Sequence, residues 1–182
     1  MSDAALALLR TIEWLHATDW LKETPMALPS PVDTWLTETG SMTQRLERHC
    51  TQLTVVPYYN DYVTADMLGD EKRELPDSER YWLRDVIIYG DGQPWLAART
   101  LIPPSALETS VSALTTIGDT PLGHYLFKQD SLQRDYIHIG RCENLWARRS
   151  RLCLSNQPIL LTELFLPSSP VYGFPGVDGG NR

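Results

Sequence analysis

The sequence is poor in the residues that usually announce a metal, a cross-link or a bound nucleotide. It has four histidines, His16, His49, His124 and His138, without HxH or HxxxH spacing, so no metal site is expected. Its three cysteines, Cys50, Cys142 and Cys153, make no CxxC pair. They read as free thiols of a reducing compartment, not as a disulfide framework. GxSxG, the Walker loop and GxGxxG are all missing. Serine-hydrolase, nucleotide and dinucleotide readings therefore lose their usual support. No apolar run approaches the ~18 residues that would span a membrane. The first residues carry Asp3 where a secretory leader would carry a basic segment, so a cytoplasmic protein is expected. Lysine is scarce, three against thirteen arginines, and the net charge is −7. That balance argues against nucleic-acid or anionic-membrane partners. Arginine suits two-point recognition of carboxylates, although most of the thirteen are ascribed to lineage usage.

What remains is an ordinary globular composition, 42% hydrophobic and 21% charged, on 182 residues. That length fits one domain, expected over residues 1–172, and one of this size buries roughly 70% of its unfolded surface. Leu6, Leu9, Ile12 and Trp14 have helical spacing and predict a helix over 4–15. Pro25, Pro29 and Pro31 break it. A second short helix starts at Val32 and ends by Gly40, and Ser41 caps a third over SMTQRLERHC. Residues 51–63 read as a strand and 66–79 as a loop. Residues 80–102 form a hairpin about Gly90-Asp91-Gly92. A helical stretch is predicted over 105–117, and another beginning at Thr120-Pro121-Leu122, with Thr120 as cap and Pro121 in its first turn. Residues 135–140 and 148–166 supply further strands, the latter a pair about Ser155-Asn156-Gln157-Pro158. The Gly-rich tail 173–182 is expected to be disordered. The pattern predicts an α+β fold on an antiparallel sheet.

Two charges interrupt the strands. Side chains alternate across a strand. Arg84 thus shares a face with Trp82, Val86 and Ile88, and Glu163 with Ile159, Leu161 and Phe165. A buried charge needs a partner. Either the two pair with each other or with other side chains, or Arg84 holds a ligand carboxylate while Glu163 faces another part of the ligand. In an apolar pocket Glu163 could also stay protonated and donate. Arg141, Arg148, Arg149 and Arg151 form a second basic run, read as a solvated edge that discourages strand addition. The competing reading is an entrance that draws in anions.

Several segments then carry a resemblance. Ser41-Met42-Thr43, Arg80-Tyr81-Trp82-Leu83-Arg84, Gly92-Gln93-Pro94-Trp95-Leu96-Ala97, Thr120-Pro121-Leu122-Gly123, Ile139-Gly140-Arg141, Leu145-Trp146-Ala147-Arg148-Arg149-Ser150 and Leu161-Thr162-Glu163-Leu164-Phe165-Leu166-Pro167 resemble, in order, the bacterial chorismate pyruvate-lyase family. The match runs from about Ser41 to Tyr172, while the 51–75 region and the cysteines depart from the family. The resemblance implies a monomeric α+β enzyme with helical flaps over an internal site. It implies that chorismate is converted to 4-hydroxybenzoate and pyruvate for ubiquinone biosynthesis, without a cofactor. The family's carboxylate-binding arginine falls on Arg84 and its active-site glutamate on Glu163. Its two backbone contacts fall on Met42 and Leu122. Two alternatives stay open: a non-catalytic binder of aromatic acids, and a lyase giving another hydroxybenzoate isomer.

Overall fold

A computed structural model describes residues 13–21, 27–109 and 115–173. Residues 4–12 of the helix predicted over 4–15 and residues 174–182 of the tail predicted over 173–182 lie outside the described residues, as does part of the stretch predicted helical over 105–117. Seven strands form one antiparallel sheet: β1 (Asp19–Trp20), β2 (Leu53–Thr64), β3 (Arg80–Gly90), β4 (Gln93–Ile102), β5 (Leu132–Cys142), β6 (Leu145–Leu154) and β7 (Gln157–Phe165). Their order across the sheet is β1-β5-β6-β7-β4-β3-β2. Residues 13–17 are helical (α1). Among the described residues four further short α-helices follow: α2 (Val32–Leu36), α3 (Met42–Glu47), α4 (Pro104–Thr109) and α5 (Leu122–Leu126). This is the α+β class expected. Among the described residues no helix is long and apolar enough to cross a membrane.

The two predicted hairpins close on two-residue turns with φ above zero at both positions. These are Asp91-Gly92 (φ 47° and 79°) and Ser155-Asn156 (φ 50° and 64°). Such turns match the right-handed twist of the strands they join, and glycine and asparagine adopt them with least strain. The Asp91 carboxylate also accepts from the Thr51 and Gln52 amides at 3.0 and 2.8 Å, which ties the start of β2 to the β3–β4 turn.

Two boundaries differ from expectation. β5 begins at Leu132, not at residue 135, because its register shifts between Arg134 and Tyr136 and the bulge disguises the alternation. Helix α5 is entered through Pro121, and no side chain caps it. Pro121 is still extended (φ −59°, ψ 128°), so the helix starts one residue late and Thr120 does not cap it.

Both faces of the sheet are buried. On one, Val32, Trp35 and Leu36 of α2, Met42 and Leu46 of α3, and Leu126 of α5 pack onto Val86, Ile88, Leu152, Ile159, Leu161 and Phe165. On the other, Trp14 and Trp20 lie against Ile87, Ala97, Ala147 and Leu164. This second face carries its own charges in register: Asp85 opposite Arg99, Arg99 opposite Thr162, Thr162 opposite Arg149. Arg99 donates from Nε and Nη2 to Glu71 at 3.0 and 2.9 Å and from Nη1 to Asp85 at 2.9 Å. Arg149 donates to Thr162 Oγ1 at 3.2 Å and stacks 4.3 Å over the Trp20 ring.

One guanidinium thus serves two buried carboxylates, and Asp85 Oδ1 has no partner. Burial pushes the Asp85 carboxyl up to about 6; Arg99 opposes the rise and the nearby Glu71 charge adds to it. The folded state then holds a proton between pH 4 and 6 that the unfolded chain releases, so stability falls as pH rises through that window. Urea unfolding at pH 4, 5 and 6.5 should show a loss on the order of 2–3 kcal/mol from this group. Asp85→Asn should flatten the dependence, and an unchanged slope would assign it elsewhere.

Candidate active site

The cavity face holds a pocket with about 550 Å³ of empty space, counting its mouth. All four residues singled out from the sequence, Met42, Arg84, Leu122 and Glu163, line it. Strand alternation puts Arg84 and Glu163 on this face, but register keeps them apart. Arg84 is opposite Thr100 on β4, and Glu163 on β7 is opposite Ala98. They are two strands apart, roughly 10 Å at ordinary strand spacing. No ion pair joins them.

Glu163 pairs instead with its neighbour across the β6–β7 ladder. Arg148 lies directly opposite and donates from Nε to Glu163 Oε2 at 2.5 Å. Its Nη1 donates to the Glu38 carbonyl at 2.6 Å. Both side chains are almost wholly buried, at 1% and 3% exposed. The basic run is therefore not a solvated edge, because β6 is an interior strand between β5 and β7. Arg148 and Arg149 are buried on opposite faces; Arg151 is half-buried beside Asp135 at 3.5 Å. Hairpin arithmetic was the available signal: counting outward from Ser155-Asn156, Leu154 meets Gln157 and Arg148 meets Glu163.

Among the described residues Arg84 has no carboxylate in hydrogen-bonding contact. Only 2% exposed, it donates from Nη2 to the Thr120 carbonyl at 3.1 Å, while Nε and Nη1 are buried without acceptors. Burial holds its pKa below the ordinary arginine value, with Asp119 opposing. Arg134, which the sequence reading passed over, also lines the pocket. It was missed because β5 starts earlier than its alternation announces.

The pocket is roofed by the starts of two helices. Ser41 caps α3, its Oγ accepting from the Gln44 amide at 3.3 Å. Met42 and Leu122 are the first residues of α3 and α5, so their amides have no acceptor within the helix. Gly123 brings the helices together: a Cβ there would sit 2.7 Å from Ser41 Oγ and 3.1 Å from Thr43 Oγ1. The site thus offers two unpartnered guanidinium donors at one end, helix-start amides above, and an ion-paired carboxylate on the floor.

A family model described as chorismate lyase matches residues 14–176. The chorismate pyruvate-lyase of Pectobacterium atrosepticum is 58% identical over 179 residues, covering 98% of each chain. That of Serratia proteamaculans is 54% identical over 172 residues, covering 94% of this chain and 95% of the other. Among solved structures, the C-terminal domain of a histidine utilization repressor from Pseudomonas syringae shares 10% identity, with a TM-score of 0.47. It covers 64% of this chain and 92% of its own, a likeness too low to build on.

The buried pair can be tested directly. Arg148→Met should destabilise the protein by roughly 3–5 kcal/mol, because it strands the Glu163 carboxylate. Arg148→Met/Glu163→Leu should recover most of that loss in chemical denaturation. A double variant no more stable than the single one would mean that the pair is not the unit removed.

Proposed function

The chain belongs to the chorismate lyase family, and on that premise we propose how its cavity carries the family's reaction. The reaction eliminates pyruvate from chorismate and leaves 4-hydroxybenzoate. The bond from the ring to the enolpyruvyl oxygen breaks, the adjacent hydroxyl-bearing ring carbon gives up its hydrogen as a proton, the departing enolpyruvate takes up a proton and becomes pyruvate, and the ring becomes aromatic. Aromatisation drives the reaction. The protein's task is to orient the substrate in a dry pocket and to match its charge as bonds change.

The observation that carries this reading is the pair of unpartnered buried donors on Arg84. A ring carboxylate placed there supplies the missing acceptors, and charge-assisted bonds of that kind are the strong ones. The Met42 and Leu122 amides, at the two helix starts, complete the carboxylate's shell. Glu163 then faces the hydroxyl end of the ring. Its Oε2 is held by Arg148, and among the described residues no hydrogen bond reaches Oε1, which leaves it to accept from the ring hydroxyl. The pairing favours Glu163 as an acceptor over the donor considered from the sequence alone.

The enzyme's place is read as cytoplasmic and its state as monomeric. Three free thiols support the first. For the second, Met67 is the one large hydrophobic side chain strongly exposed among the described residues, so no apolar patch asks for a second subunit. Residues 1–172 are taken as one catalytic domain.

Purified protein incubated with chorismate should yield 4-hydroxybenzoate and pyruvate in equal amounts. Another hydroxybenzoate isomer, or no product, would overturn the assignment. Arg84→Ala should lower kcat/KM by roughly two to three orders of magnitude, the loss expected when buried charge-assisted bonds to a ligand are removed. Turnover near the parent value would mean that the ring carboxylate binds elsewhere.

A further inference from the structure

Three arginines line the cavity, Arg84, Arg134 and Arg148, against one carboxylate, Glu163. The lining thus carries an excess of two positive charges. A monoanion such as 4-hydroxybenzoate answers only one of them. Chorismate is a dianion, with one carboxylate on the ring and the other on the enolpyruvyl ether.

The arrangement of the arginines shows where the second carboxylate belongs. Across the floor the sequence is Arg84 on β3, then β4, then Glu163 on β7, Arg148 on β6 and Arg134 on β5. Arg84 and Arg148 are three strands apart, roughly 14 Å between backbones. Long side chains reaching inward from both sides place their guanidiniums at opposite ends of a ring-sized ligand, with Glu163 between. If the ring carboxylate is at Arg84 and the hydroxyl at Glu163, the adjacent ether substituent points toward β6 and β5.

Arg134 is built for that position. It lies opposite Leu152 on the cavity face, and the bulge that follows returns Tyr136 to the other face. Its Nη1 donates to Ser150 Oγ and its Nη2 makes a long contact, 3.4 Å, to the Thr39 carbonyl. Its Nε is buried without an acceptor. Its guanidinium lies 5.8 Å above the Phe127 ring, another cavity wall. Burial lowers its pKa first and the like charge of Arg148 second, with Glu163 and Glu38 opposing. Within the cavity lining these two cations face one carboxylate, Glu163, since Glu38 is not part of it, and that leaves room for one more anion.

We propose that Arg134 and Arg148 form a second carboxylate subsite, which holds the enolpyruvyl carboxylate of the substrate and has no counterpart to hold in the aromatic product. The inference rests on the reading of Arg84 as the ring-carboxylate clamp. It makes Arg134 a determinant of substrate over product: the enzyme distinguishes them by the carboxylate that the reaction removes.

The test compares kcat/KM for chorismate with inhibition by 4-hydroxybenzoate in Arg134→Gln, Arg134→Lys and Arg84→Gln. Arg134→Gln should lower kcat/KM by roughly ten- to a hundredfold, the effect of losing a charge-assisted bond, while the 4-hydroxybenzoate inhibition constant moves less than about twofold. Arg134→Lys keeps the charge and should restore part of the loss. Arg84→Gln should weaken both substrate and product. If Arg134→Gln weakens both equally or affects neither, or if Arg134→Lys is no better than Arg134→Gln, the subsite is wrong. If Arg84→Gln leaves product inhibition unchanged, the clamp reading fails instead. Thermal melts of each variant separate unfolding from lost recognition, and the lysine variant keeps the test decisive should the glutamine one fail to fold.

Discussion

A guanidinium buried on an apolar sheet face has to be answered by negative charge, and among the described residues none answers Arg84 in direct contact. Its one hydrogen bond goes to the Thr120 carbonyl, and Asp119 contributes only at longer range. Both residues belong to the loop that enters α5. Arg84 is therefore tied by a hydrogen bond to the loop that carries Leu122 over the cavity. A buried cation without its counter-ion costs folding stability. That cost is one a ligand-binding site carries and a purely structural one avoids.

The opposite face of the same sheet makes the contrast plain. Arg99 is as deeply buried as Arg84, one strand away in register, yet it donates from all three of its nitrogens to Glu71 and Asp85. Arg149 has Thr162 and the Trp20 ring. That face closes its charges with the chain's own side chains, and there burial, with the nearby Glu71 charge adding to it, raises Asp85. The cavity face leaves its surplus positive and open. The same residue type on neighbouring strands is thus closed by side chains on one face and left with unpartnered donors on the other. Partner counting separates the two where burial alone does not.

Much of this was legible before any coordinates. The glycine and asparagine turns at Asp91-Gly92 and Ser155-Asn156 set both hairpins, and alternation placed Arg84 and Glu163 on apolar faces, because a strand's period is local. What alternation cannot see is which strands are interior. β6 reads as an edge from its arginines, and it becomes interior only because β5, separated from β7 in sequence, adds on its far side. Arg148 was misjudged for that reason. Arg134 was missed because a bulge shifts the phase between it and Tyr136. The mutual pairing of Arg84 with Glu163 stayed open for a related reason: β4 comes between them, and strand order is a tertiary property.

The Arg148–Glu163 pair changes what the glutamate can be. A lone carboxyl in an apolar pocket can remain protonated and act as a donor. Here a two-residue turn fixes the hairpin register, register sets Arg148 opposite Glu163, and the Glu38 carbonyl holds the guanidinium from its other side. The carboxylate is thereby oriented before any ligand arrives, by strands that pack on both faces and have little freedom to move. Preorganisation of this kind is what makes a polar group effective in a low-dielectric site, since none of it has to be reorganised as charge shifts. The pair also keeps Glu163 from cancelling the charge of Arg84, which a direct bond between them would do. With Glu163 held by Arg148, the Arg84 donors face the cavity without a carboxylate among the described residues.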